Sequence, residues 1–173
     1  MMTLNNNIVL IGPMGAGKSV LGKAIAERLG WQFIDSDDVI VKQAGVDIPW
    51  IFDVEGETGF RQREHEVLAG LCKCTDTVIA TGGGAILRED NRTLFVDDLV
   101  VYLQTSIAMQ FKRLKKDKNR PLLQADDVTA KLTALAEQRN PIYSALADVT
   151  VITDGKTVSE LVRTVTETLN DNR

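Results

Sequence analysis

The 173-residue chain has one histidine and two cysteines, and these shortages remove whole classes of chemistry. His65 stands alone, which leaves no basis for a histidine-built metal centre or a Ser-His-Asp triad. Cys72 and Cys74 form a CxC pair without the second pair a zinc site needs, and they supply no disulfide framework. They read as ordinary reduced thiols. Positive charge is also in deficit: 20 Lys and Arg against 24 Asp and Glu leave a net −4. Affinity for nucleic acid rests on clustered cations, so no nucleic-acid partner is expected. No apolar run approaches membrane-spanning length, and the start, MMTLNNN, has no basic region of the kind that opens a secretion signal. The expectation is a cytoplasmic chain with no membrane partner.

With 44% hydrophobic residues, the chain can bury a sizeable core, and its length fits a single domain over 1–173. β-type runs recur at Ile8 to Ile11, Gln32 to Ile34, Thr77 to Ala80, Leu99 to Leu103 and Val149 to Ile152. Helix-patterned stretches separate them, at Lys18 to Leu29, Thr58 to Leu71, Ala130 to Leu146 and Val158 to Leu169. Strands alternating with helices predict an α/β fold with a parallel sheet and right-handed crossovers. The unbroken apolar run Leu99 to Leu103 suits a sheet covered on both faces. The run KRLKKDKNRPLLQADD, Lys112 to Asp127, is basic, then acidic, with little apolar period. It reads either as a solvated helix end and loop or as a mobile lid over about 112–125.

The octapeptide GPMGAGKS, Gly12 to Ser19, fits GxxxxGK[ST]. Glycines let backbone N–H groups turn inward as an anion nest, and the helix that follows adds the positive end of its dipole. Gly15, Ala16, Gly17, Lys18, Ser19 and Val20 are the candidate nucleotide contacts. Lys18 would reach the β- and γ-phosphates, and the Ser19 hydroxyl would hold magnesium. An apolar strand before and a helix pattern after supply the required context. The loop is therefore read as a site for a nucleoside triphosphate.

A phosphate cradle does not name its acceptor. FIDSDDVI places Asp35, Asp37 and Asp38 after the second strand, at the edge where open α/β sheets bind ligands. One carboxylate there suits a base and another suits magnesium, while Ser36 or Asp37 also suits a helix cap. In EGETGFRQRE, the residues Arg61, Arg63, Glu64 and Glu66 read from composition as exposed helix-face pairs. VIATGGGAI then runs a buried strand into Gly82, Gly83 and Gly84, a costly arrangement that points to close approach of a ligand. No Asp ends that strand, so magnesium would depend on Ser19 and the cluster at Asp35.

Taken together, GPMGAGKS, FIDSDD, GFRQRE, ATGGGA, KNRPLL and QRNPIYSALAD, in this order and spacing, resemble the shikimate kinase family over essentially the whole chain. The resemblance implies a three-layer α/β/α P-loop fold of the nucleoside monophosphate kinase type, with a five-stranded parallel sheet and a mobile lid. It also implies ATP-dependent phosphorylation of the 3-hydroxyl of shikimate, on the way to chorismate and the aromatic amino acids, with ATP and Mg2+. The shikimate-binding region would span about 35–64. Within it, Asp37 would contact the shikimate hydroxyls and act as base, and Asp35 would serve magnesium.

By the same resemblance, Arg61 and Arg139 would clamp the shikimate carboxylate, a role that suits a planar, always-charged group. Gly83 would donate a backbone N–H between Gly82 and Gly84, Phe52 and Phe60 would line the ring's pocket, Arg120 would close over the phosphates, and Arg113 would stack near adenine. Two departures stand out: Val20 occupies a position where many relatives have threonine, and the doubled Asp37-Asp38 leaves open which carboxylate titrates. Two other readings stay open. One is a related kinase resembling gluconate kinase, and the other is a nucleotide-gated binding module without catalysis. No long heptad pattern is visible, so a monomer is expected.

Overall fold

A strand with four consecutive apolar residues, such as Ile8 to Ile11, is stable only where both of its faces are covered. The computed structural model, which describes residues 6–116 and 127–172, covers β1 (Asn7–Ile11) in this way, with all five residues buried. The other strands are β2 (Gln32–Asp35), β3 (Thr77–Ala80), β4 (Leu99–Gln104) and β5 (Val149–Ile152). Their order is β2-β3-β1-β4-β5 and every neighbouring pair is parallel. This is the expected five-stranded parallel sheet.

Alternation along each strand sorts the core into two halves. Val9, Ile11, Ile79, Val100 and Tyr102 face one side, where they meet α2 (Ser36–Ala44), α3 (Ile48–Leu71) and α6 (Val128–Leu146) through Ile40, Phe60 and Tyr143. Ile8, Leu10, Val78, Leu99 and Val101 face the other, against Leu21 and Ile25 of α1 (Lys18–Leu29) and Val165 of α7 (Val158–Asp171). Each such side chain contributes about 1.5–3 kcal/mol on burial. The result is three layers.

Helix ends follow their capping residues. The Asp47 side chain accepts from Trp50 N, Ser106 from Met109 N and Asp127 from Ala130 N, and Thr157 and Glu160 form a capping box at the start of α7. The cap of α2 is Asp35, whose side chain accepts from Asp37 N. Ser36 or Asp37 was the expectation. Asp35 takes the role because the last strand residue already has the extended dihedrals of a cap, φ −94° and ψ 122°.

Four elements differ from the sequence pattern. The helix expected from Thr58 begins ten residues earlier, at Ile48, and is broken by Gly56 at φ 70° and ψ −179°. Across that kink, Arg63 Nε and Nη2 pair with the Glu55 carboxylate at 2.7 and 2.9 Å. A 3₁₀ turn (Ala85–Leu87) leads to the short α4 (Glu89–Leu94), and α5 (Ile107–Leu114) precedes the basic run. Lys112 and Arg113 lie in the last turn of α5, and its last residue, Leu114, is buried. Arg120 and most of the segment expected as a lid lie outside the described residues.

The N-terminal ends of three strands are pinned by Asn7, which is fully buried. It donates to Cys74 O at 2.9 Å and to Asp98 Oδ1 at 3.0 Å, and accepts from Thr77 N at 3.2 Å. Burial, reinforced by the Asp98 charge, pushes the nearby Cys72 thiol up to about 12, so it stays protonated and inert. The opposite, C-terminal ends of β1, β2 and β3 lead into the segments that carry the candidate residues. No helix among the described residues is long and apolar enough to cross a membrane.

Candidate active site

The GPMGAGKS loop joins β1 to α1. Gly15 and Gly17 have φ of 79° and 89°, left-handed backbone that a side chain would strain, and Gly17 opens the helix. Lys18 Nζ donates to Gly12 O and Pro13 O, each at 2.8 Å, so its ammonium lies folded over the loop. Ala16 is buried in the floor and Val20 is exposed. From α5, Arg113 Nη1 donates to Gly15 O at 2.9 Å, which places the expected adenine-side arginine against the loop.

The Ser19 Oγ donates to Asp35 Oδ2 at 2.7 Å, and Asp35 Oδ1 accepts from Asp37 N at 2.9 Å. One carboxylate thus links the start of α1 to the start of α2. Two hard oxygen donors from different elements meet at the mouth of the phosphate loop, which fits a magnesium ion that keeps its remaining ligands as water and phosphate. Among the described residues, no cluster of three or more His, Cys, Asp or Glu side chains is built to hold a metal alone.

Four side chains, those of Asp37, Arg61, Glu64 and Arg139, converge on the glycine loop after β3. A Cβ built at Gly82 would lie 3.2 Å from Asp37 Oδ1 and 2.8 Å from Glu64 Oε2. One at Gly83 would lie 3.3 Å from Arg139 Nη1, and one at Gly84 would overlap Arg61 Nη2. The sequence suggested that the glycines admit a ligand. The structure shows the room at each of them bordered by side chains of the chain itself. Both guanidiniums and Asp37 therefore line one wall, beside Met14 of the phosphate loop.

Charge and aromatic packing complete this wall. Arg61 Nη1 donates to Glu64 Oε1 at 2.8 Å, with Glu64 wholly buried. The reading of Arg61 and Glu64 as an exposed surface pair is therefore corrected: α3 turns that face inward over the glycine loop. Burial pushes the Glu64 carboxyl above the usual carboxylate range, against the downward pull of Arg61 first and then Arg139 and Arg88. Arg61 Nε, Arg139 Nε and Glu64 Oε2 are buried without a hydrogen-bond partner among the described residues. Phe52 and Phe60 stack at 4.7 Å, and the Arg61 guanidinium lies 5.3 Å from the Phe60 ring. Phe60 is also part of the core, while Phe52 is partly exposed.

Two contributors besides Glu64 were not singled out from sequence. Tyr143, one turn beyond Arg139 on α6, donates to Gly83 O at 2.5 Å. Its spacing of four from Arg139 is the signal that puts both on one helix face. Arg88 donates to Arg61 O at 3.2 Å, and no local pattern announces that contact.

A parallel sheet in the order 2-3-1-4-5, with a phosphate loop between β1 and α1 and acidic residues closing β2, defines a P-loop kinase fold. The family model for shikimate kinase matches residues 14–170. The chain is 49% identical over 172 residues to a shikimate kinase of Actinobacillus pleuropneumoniae, covering 99% of each. It superposes on the shikimate kinase of Acinetobacter baumannii in complex with shikimate with a TM-score of 0.93 and 42% identity, covering 99% of this chain and 97% of that one. A gluconokinase from Sinorhizobium meliloti, at 18% identity and a TM-score of 0.59 over 97% and 93% of the chains, shares the fold alone. The chain belongs to the shikimate kinase family.

Proposed function

We propose that the chain transfers the terminal phosphoryl group of ATP to the 3-hydroxyl of shikimate, giving shikimate 3-phosphate and ADP. The observation that carries this reading is the convergence of the Arg61 and Arg139 guanidiniums and Asp37 on one glycine loop next to the phosphate loop. Shikimate presents one carboxylate and several hydroxyls. The two guanidiniums suit the first and Asp37 suits the second. Their unfilled buried Nε donors favour an anionic guest. Gluconate would present a carboxylate too, whereas a nucleoside monophosphate would call for base-reading and phosphate-binding groups in place of the Arg61, Arg139 and Gly83 set.

In this reading Asp37 accepts the proton of the attacking hydroxyl. The pocket walls of Phe52, Phe60 and Gly82 to Gly84 hold the ring, and a Gly83 N–H aids its orientation. Lys18 exchanges its two loop carbonyls for phosphate oxygens, so that its charge follows the transferring group. Arg113 serves the nucleotide side, and Arg120 is proposed to close over the phosphates. The work left to the protein is positioning and charge stabilisation, with water excluded. Ser19 and Asp35 would hold magnesium, which neutralises charge on the phosphates when bound. All proposed groups come from a single chain, so the proposed site is complete in a monomer.

Coupled ADP release with purified protein tests this directly. Magnesium-dependent turnover should appear with shikimate and not with gluconate or nucleoside monophosphates. Stimulation by one of those instead would reassign the acceptor, and nucleotide binding with no stimulation by any acceptor would restore the binding-module reading.

A further inference from the structure

Behind the proposed acceptor wall, the segment after the glycine loop crosses α3 through a polar clasp centred on Arg88. Its Nε and Nη2 pair with the Asp90 carboxylate at 2.9 and 2.5 Å. Its Nη1 donates to Arg61 O at 3.2 Å and to Gln62 Oε1 at 3.1 Å. Asp90 lies 3.6 Å from His65 Nδ1, which bonds Asn91 Oδ1 at 2.7 Å. Asn91 is fully buried and donates to Ala85 O at 2.9 Å.

Arg61 is therefore held from two directions by one stretch of chain. Its side chain borders Gly84, and its main-chain carbonyl is fixed by Arg88 four residues later. The Arg88–Asp90 pair is partly exposed, and pairs of that kind add little to stability. What it does add is geometry: the planar fork of Arg88 spans a carboxylate and a main-chain oxygen at once, a reach that a lysine ammonium cannot reproduce.

We propose that Arg88 is a positioning residue that sets the register between the α3 turn carrying Arg61 and the glycine loop, so that the Arg61 guanidinium is oriented before the acceptor's carboxylate arrives. It touches neither substrate. The energetic logic is preorganisation: a clamp already ordered does not have to be ordered at binding. The proposal rests on the reading of Arg61 as a carboxylate clamp.

Steady-state kinetics on Arg88→Ala, Arg88→Lys, Arg61→Ala and the Arg61→Ala/Arg88→Ala double variant test it. Arg88→Ala should raise the KM for shikimate about five- to tenfold, the loss of one well-placed hydrogen bond, with the KM for ATP unmoved. Arg88→Lys should recover only part of that loss. In the Arg61→Ala background, removal of Arg88 should change nothing further, because its effect passes through Arg61. A merely structural role would move both KM values and would add in both backgrounds. If Arg88→Ala does not fold, Arg88→Lys and Asp90→Asn replace it under the same criteria. An unchanged shikimate KM, or equal losses with and without Arg61, overturns the proposal while leaving the shikimate reading intact. A wild-type protein that does not turn over shikimate overturns both.

Discussion

Glu64 Oε1 accepts a hydrogen bond from Arg61 Nη1 at 2.8 Å, and the carboxylate has no exposed surface. The pair fixes one guanidinium of the proposed clamp from below, while Gly84 leaves it room from above. Removing the tether should loosen Arg61 without touching the nucleotide side. Glu64→Ala is expected to raise the shikimate KM by about fivefold, near the worth of one hydrogen bond, with ATP affinity by calorimetry unchanged. A parallel loss of ATP affinity would show that Glu64 supports the whole fold instead.

The room at Gly84 gives an independent handle on the same guanidinium. Its backbone, φ −97° and ψ 2°, is open to any residue, so Gly84→Ala introduces no dihedral strain. The added methyl would instead displace the Arg61 guanidinium from its place beside Gly84. The expected outcome is a shikimate KM raised about tenfold, the loss of a charge-assisted contact, with an almost unaltered urea midpoint. A large midpoint shift with normal KM would contradict this account of the glycine.

The direction of the Glu64 shift gives stability a pH dependence of known sign. Its ion pair with Arg61 favours the charged form, yet burial prevails and raises the carboxyl. An unfolded glutamate titrates at about 4.3. Between that value and the raised one, the folded chain holds more protons than the unfolded chain, so this contribution to stability is present below the window and is lost as pH rises through it. Glu64→Gln keeps the neutral state at every pH. Urea unfolding of both proteins from about pH 4 to about pH 8 should show the variant gaining on the wild type across the window. A gap that does not move with pH would mean that the carboxyl titrates alike in both states.

These side chains also mark how far the sequence could be read. GPMGAGKS and the strand into Gly82 were legible because their meaning is local, in backbone geometry and a strand edge, whereas at the acidic end of β2 the helix start was legible and its capping residue, Asp35, was not. Arg61 and Arg139 were placed by resemblance. From composition, EGETGFRQRE is indistinguishable from a solvated face, and only the packing of α3 over the glycine loop separates the buried Glu64 from the exposed Glu66 partner of Gln62. The start of α3 at Ile48 was hidden because Gly56 interrupts the periodic pattern that identifies a helix. α5 was obscured by the charged run that follows it, although Ser106 caps it as local chemistry allows. Long-range contacts such as Arg88 to Arg61 O have no sequence signature.

Asp35 serves two elements at once, accepting from Ser19 Oγ at 2.7 Å and from Asp37 N at 2.9 Å. Chelating magnesium should stop turnover while leaving shikimate binding measurable by calorimetry. Asp35→Ala should raise the magnesium concentration needed for half-maximal turnover and also lower stability by about 1 kcal/mol through the lost cap. Full activity of Asp35→Ala at limiting magnesium would remove this residue from the metal site.

Tyr143 joins the two halves of the acceptor wall, since it sits on the helix that carries Arg139 and donates to Gly83 O at 2.5 Å. Burial pushes its phenol up to about 12, against the pull of Arg139, so it remains a donor throughout the range in which the enzyme is assayed. Its ring stacks on Tyr102 at 5.0 Å. Tyr143→Phe keeps that stack and removes only the donor, leaving the Gly83 carbonyl without its partner at a cost of about 1–2 kcal/mol. Because Gly83 lies beside Arg139, the same change should raise the shikimate KM. Tyr102→Phe is the matched control: it keeps the ring pair and leaves the Gly83 bond in place, so urea unfolding and shikimate KM should stay near wild type. Equal effects from the two substitutions would assign the role to ring packing and take the Gly83 hydrogen bond out of the argument.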